Sequence, residues 1–138
     1  MATITEDYCD FETAKLLKEK GFDARCPMIY TADGEMLYTD VKHHNMYAVT
    51  NKQLEYYTDI IAPTQAMALK WLREVYNIMV SPYALSLGYY FEIFDLTNRD
   101  ITGCKPLYKV GIPNKEDVLN TYEEACEAAI KYCLENLI

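Results

Sequence analysis

The chain has 138 residues, 51% of them hydrophobic and 25% charged, an ordinary composition for one globular domain and not that of a disordered or collagen-like polymer. Its net charge is −8 and no run of lysines or arginines occurs, so the basic face that a duplex nucleic-acid binder uses to neutralise phosphates is missing. No apolar run approaches the roughly 18 residues of a membrane span, and the acidic opening MATITEDYCD lacks the apolar stretch of a secretory signal, so the expected location is the cytoplasm.

The acids gather at the two ends. Residues 1–40 carry nine acids and four bases, residues 41–120 carry eight of each, and residues 121–138 carry four acids and one base. The five cysteines are odd in number and form no CxxC pair, a pattern of packing thiols in a reducing compartment. A structural zinc needs four clustered ligands. The only histidines, His43 and His44, are adjacent, so no metal and no cofactor is expected.

In chain order, DFETAKLLKEK (10–20) reads as a helix. Asp10 is its N-cap, Gly21 the left-handed residue that ends it, and Phe22 the apolar clasp. Residues 27–42 read as a β-hairpin around Asp33-Gly34, a pair that suits a type I′ turn. HHNMYAVT (43–50) is compatible with a third strand, and NKQLEYYTDII (51–61) with a loop or short strand. PTQAMALKWLREVYN (63–77) is the strongest helix signal. Pro63 fits its first position, Met67, Ala68, Trp71, Leu72 and Val75 form its apolar arc, and Lys70, Arg73, Glu74 and Asn77 its wet side.

ALSLGYYFEIFDL (84–96) alternates as one long strand, with Leu85, Leu87, Tyr89, Phe91 and Ile93 on one face. TNRDITG (97–103) follows as a turn. KPLYKVGI (105–112) is the partner strand, with Pro106 placing it at an edge or bulge. The last helix opens at Thr121, whose spacing to Glu124 is a capping box. Its apolar face is Ala125, Cys126, Ala129, Ile130, Cys133, Leu134 and Leu137. Separate helices and antiparallel hairpins, joined by no Gly/Ser/Pro-rich linker, predict one α+β domain over residues 1–138, three helices packed on antiparallel β-hairpins.

No GxSxG, Walker loop, GxGxxG or HExxH occurs, and no catalytic residue is assigned. The unusual feature is tyrosine, thirteen in all. A tyrosine offers a flat apolar ring with a polar tip, suited to stacking on a base. Tyr57 and Tyr90, from the two doublets, are therefore candidate stacking residues. Lys70, Arg73, His43 and His44, joined by Arg99 and Lys105, are candidate contacts for phosphate.

Three segments, FETAKLLKEKGFD (11–23), APTQAMALKWLREVYNI (62–78) and YEEACEAAIKYCLENLI (122–138), resemble a family of small, largely uncharacterised proteins encoded by phages and prophages of gut bacteria. That resemblance carries no active-site residue. It implies an accessory protein in an infected bacterial cell with a counter-defence role. The expectation that follows is a non-enzymatic binder that sequesters a small anionic, nucleotide-type signal, with a homodimer as a natural way to close its pocket. The alternative is an acidic protein–protein inhibitor of a host defence protein. An unrecognised nuclease or phosphodiesterase stands behind both.

Overall fold

A computed structural model describes residues 3–100, 103–109 and 119–138. The protein is α+β. Its chain divides into two units, Met1–Thr64 and Gln65–Ile138, each joining helix to antiparallel sheet.

The first unit runs α1 (Phe11–Glu19), β1 (Met28–Tyr30), β2 (Met36–Tyr38), α2 (Thr39–Lys42) and β3 (Ile60–Ile61), with strand order β2-β1-β3. Asp10 caps α1, its Oδ1 accepting from Thr13 N at 2.8 Å. At the other end Gly21 takes a φ of +90°, Phe22 N donates to Leu17 O at 2.9 Å and Gly21 N to Lys18 O at 3.1 Å. These two bonds are the Schellman closure that the sequence KGF anticipates. Thr13, Ala14 and Leu17 are the buried face of α1. Ala14 joins Met28, Tyr30, Ile60 and Ala62 in one apolar cluster, against which Tyr8 and Phe11 pack.

The hairpin departs from the expectation in two ways. Gly34 N donates to Thr31 O and Thr31 N to Glu35 O, both at 2.9 Å, and within this turn only Gly34 has a positive φ, +83°. That is a three-residue loop, a type I turn closed by a left-handed glycine, and not the two-residue type I′ turn. The second arm also ends at Tyr38. Thr39 N donates to Pro27 O at 2.8 Å and its hydroxyl to Cys26 O at 3.4 Å, which curls residues 39–42 into the turn of α2, a helix the sequence did not suggest. Residues 43–50 form no strand beyond a bridge between Cys26 and Val49. The 51–61 segment ends in the short strand β3. The buried Asn51 bonds both sides there, donating to Phe22 O at 2.9 Å and accepting from Ile61 N at 3.1 Å.

The second unit runs α3 (Gln65–Tyr76), β4 (Ile78–Leu85), β5 (Gly88–Asp100), β6 (Gly103–Lys109) and α4 (Tyr122–Asn136), with strand order β4-β5-β6. Pro63 precedes α3 and does not open it. The buried face of α3 is Gln65, Ala68 and Leu72, while Val75 is 56% exposed. Gln65 is inside because its amide donates to Glu123 O at 2.9 Å and to Glu127 Oε2 at 3.0 Å, which joins α3 to α4. Asn77, at φ +56°, then reverses the chain into β4.

The single strand expected over 84–96 is the junction of two. Leu85 pairs with Gly88 across a Ser86-Leu87 turn, so Leu85 and Leu87 project at a hairpin tip and are 48% and 64% exposed. Ile78, Val80, Phe91 and Ile93 are buried. Tyr108 of β6 lies between Phe91, at 5.0 Å between centroids, and Tyr132 of α4, at 4.5 Å. The TNRDITG segment is largely strand, because β5 continues to Asp100 through a register break between Asp95 and Arg99; residues 101–102 lie outside the described residues. Pro106 sits on the edge strand beside a register shift, where its missing N–H is harmless. The 110–112 end of the expected partner strand lies outside the described residues.

Thr121 caps α4, accepting from Glu124 N at 3.1 Å. In return Glu124 Oε2 accepts from Asn120 N at 2.9 Å, one residue earlier than in a standard capping box. Six of the seven residues expected on the apolar face of α4 are buried, all but Leu137.

Candidate functional site

The site belongs to the first unit and grows from the turn of α2. Thr39 anchors that turn, and His43 N donates to Thr39 O at 2.8 Å. Lys42 and His43 are thereby presented side by side. Asp59 stands directly before β3, and its carboxylate is only 1% exposed. Its Oδ1 accepts from Lys42 Nζ at 2.7 Å, and its Oδ2 meets His43 Nε2 at 2.8 Å. A buried carboxylate needs such partners. Burial by itself would raise the Asp59 carboxyl, but the hydrogen bonds and charges of Lys42 and His43 outweigh burial and hold it below its ordinary value.

Tyr57 meets His43 edge-on, with centroids 4.7 Å apart at 80°. Around this pair lies an open concavity of about 310 Å³, lined by Lys42, His43, His44, Met46 and Tyr57. Asn45, at φ +68°, makes the tight turn between His44 and Met46, a conformation asparagine tolerates better than most residues. His43 is nearly buried, whereas Tyr57 is 53% exposed, so the tyrosine ring is the open wall.

Of the candidates from sequence, His43, His44 and Tyr57 share this concavity. The others belong to the second unit and do not line it. Lys70 and Arg73 are exposed on α3, and Lys70 faces Glu74 at 3.8 Å, one helical turn on. Tyr90 is only 1% exposed and lies 5.9 Å from the Tyr83 ring, so it is a packed ring and no open stacking surface. The side chains of Arg99 and Lys105 lie outside those described.

Sequence reasoning missed Lys42, Met46 and Asp59. Asp59 did leave a trace, as a lone acid set against the apolar run Ile60-Ile61-Ala62, but its pairing with a histidine sixteen residues away leaves none.

A second concavity of about 410 Å³ in the other unit is lined by residues including Tyr76, Asp95, Asn98, Leu107 and Leu137, with no lysine, arginine or histidine among the described lining residues. Asp95 is held below its ordinary value by bonds from Asn98 and Thr97. Among the described residues no group of three His, Cys, Asp or Glu side chains converges as a metal site. No helix among them is long and apolar enough to cross a membrane. Burial pushes the Cys26 thiol up to about 11 and the Cys133 thiol to about 12, which removes both as nucleophiles at neutral pH. Comparison with protein-family models, with curated proteins and with solved structures returned no match.

Proposed function

We propose that the chain is a non-enzymatic binder of a small anionic, nucleotide-type ligand, held in the concavity of Lys42, His43, His44, Met46 and Tyr57. One observation carries this reading: an exposed tyrosine face and three nitrogen-bearing side chains line the same small hollow. Tyr57 supplies a stacking surface for a base. Lys42 supplies a cation for phosphate, and His44 a further nitrogen donor. The net charge of −8 disfavours long polyanions and leaves a compact ligand as the better fit. In the phage or prophage setting that the three helix segments resemble, such a binder would act as counter-defence by removing a host signal. A second copy of the chain is a natural lid for so open a hollow.

The test is a thermal-shift screen against cyclic dinucleotides, cyclic trinucleotides and ADP-ribose derivatives, with the ligand recovered afterwards. Saturation at about a hundred times the dissociation constant adds roughly 2.7 kcal/mol of stability. A shift that disappears in Tyr57→Ala, with ligand recovered intact, supports sequestration. Altered ligand would make the protein an enzyme. No shift across the panel refutes the reading.

A second reading, a protein–protein inhibitor, draws on a separate observation. Tyr38, Val41, Tyr47 and Tyr56 are exposed at 63%, 61%, 81% and 91%, interspersed with the exposed acids Asp33, Glu35, Asp40 and Glu55. Aromatic rings among carboxylates suit a basic protein surface. This reading requires salt-sensitive capture of a basic protein that reversal of those four acids to lysine abolishes.

A further inference from the structure

We infer that His43 is the positioning residue of the concavity: clamped by Asp59, it holds the Tyr57 ring in a preset orientation, so that the site selects phosphates carrying a planar base over ring-less sugar phosphates. This rests on the binding reading above and says how the site tells a nucleotide from a bare phosphate ester.

Tyr57 is 53% exposed, and an exposed side chain exchanges rotamers rapidly unless something holds it. Its backbone is fixed by a turn, Tyr57 N donating to Leu54 O at 2.8 Å, and Leu54 is buried. Among the described residues its ring has one aromatic neighbour and its hydroxyl no hydrogen bond. That neighbour is His43, 4.7 Å away between centroids at 80°. Edge-to-face rings attract one another, and a single neighbour at right angles leaves at least one face of the tyrosine uncovered.

His43 can hold the ring because it is itself held. Its side chain is 7% exposed, and Nε2 lies 2.8 Å from Oδ2 of the buried Asp59. The Asp59 carboxyl is kept below its ordinary value, so it is ionised at neutral pH. An ionised carboxylate only accepts, so Nε2 carries a hydrogen in this contact whether the imidazole is neutral or charged. Lys42 takes the other carboxylate oxygen at 2.7 Å, which anchors Asp59 from a second side. Contact thus runs from a buried carboxylate through a nearly buried imidazole to an open phenol ring. A base that stacks on a ring already ordered avoids the loss of rotamer freedom that ordering it would cost. A ligand without a ring gains nothing from that order.

The test is a double-mutant cycle on His43→Gln and Tyr57→Ala, read by calorimetry with adenosine 5′-monophosphate and, as the ring-less control, ribose 5-phosphate. Glutamine keeps an N–H for Asp59 and removes the ring beside Tyr57. His43→Gln is expected to weaken adenosine 5′-monophosphate about threefold to tenfold, the order of ordering one side chain, and to leave ribose 5-phosphate unchanged. In the Tyr57→Ala background the same substitution should have no further effect. A loss equal for both ligands, a loss equal with and without Tyr57, or unchanged nucleotide binding in His43→Gln would overturn the inference and leave the binding reading standing. No binding of adenosine 5′-monophosphate by wild type at millimolar concentration would overturn the binding reading, and the inference with it. If His43→Gln fails to fold, or a variant binds too weakly to titrate, Hα–Hβ couplings of Tyr57 in the wild-type protein decide: a single χ1 rotamer supports the inference, and averaged rotamers overturn it.

Discussion

Lys42→Met is the sharpest test of how the site is held. In the native protein Lys42 neutralises a carboxylate that is 1% exposed, while its own side chain is 43% exposed. A fully buried pair broken on one side loses about 3–5 kcal/mol, and a surface pair about 0.2–1 kcal/mol. Half the pair is open to solvent, so the expected loss is about 2 kcal/mol at neutral pH. For a chain of 138 residues that is a fall in Tm of about 6–8 °C.

The pH dependence carries the sign. Burial opposes ionisation of Asp59, and Lys42 contributes both a hydrogen bond and a charge to the lowering that overrides it. The wild-type contribution is present above the ordinary carboxylate value of 3.8 and is lost as pH falls through the lower folded value. In Lys42→Met the carboxyl rises relative to wild type, so acid protonates it sooner and relieves the uncompensated charge. Thermal unfolding of both proteins, followed by circular dichroism from neutral pH downwards, should show a gap that narrows through the carboxylate range. A gap that is absent at neutral pH, or constant across the series, would refute this account of the Lys42–Asp59 pair.

Other variants probe the scaffold. Gly34→Ala should be more destabilising than Gly21→Ala in denaturant titration. Both glycines have strongly positive φ, but an added Cβ at Gly34 would meet Phe11 Cδ1 at 3.2 Å, whereas at Gly21 it meets nothing within 4 Å; the conformational part is about 1–2 kcal/mol in each. Tyr30→Phe should lose about 1–2 kcal/mol, because Tyr30 Oη donates to Cys9 O. Tyr90→Phe should be neutral or stabilising in the same assay, since Tyr90 Oη is buried without a hydrogen-bond partner among the described residues. Of the five thiols, Cys104 alone is not buried. A disulfide reagent should label one thiol quickly in the native state and the others only on unfolding.

What was legible in the sequence was mostly local. The caps of α1 at Asp10 and Gly21, the Thr121 cap of α4 and the edge placement of Pro106 each follow from a residue's own backbone chemistry, and each is present. The Ser86-Leu87 turn was hidden because alternation of apolar residues runs straight through it, and neither residue carries a left-handed or proline signal. Gln65 was absent from the expected apolar arc of α3 because its partners, Glu123 and Glu127, are supplied by a helix far along the chain. The site followed the same division. Tyrosine chemistry and the His-His pair marked Tyr57, His43 and His44, but only folding showed that they share a wall. The Asp59 contacts depend on bringing residues 42–43 and 59 together, which no spacing rule encodes. Tyr90 was misjudged because the period-two pattern gives a residue's face and not what covers that face.

The most direct measurement is a calorimetric titration of adenosine 5′-monophosphate into wild-type protein and into Tyr57→Ala and Lys42→Met. Tyr57 is 53% exposed, so its removal should spare the fold and weaken binding at least tenfold, the order expected for one stacked base. Lys42→Met should weaken binding as well, and more at low salt than at high salt. Saturable heat in wild type that falls in both variants is the result this account requires. Heat that is unchanged in Tyr57→Ala, or absent from wild type at millimolar nucleotide, would contradict it.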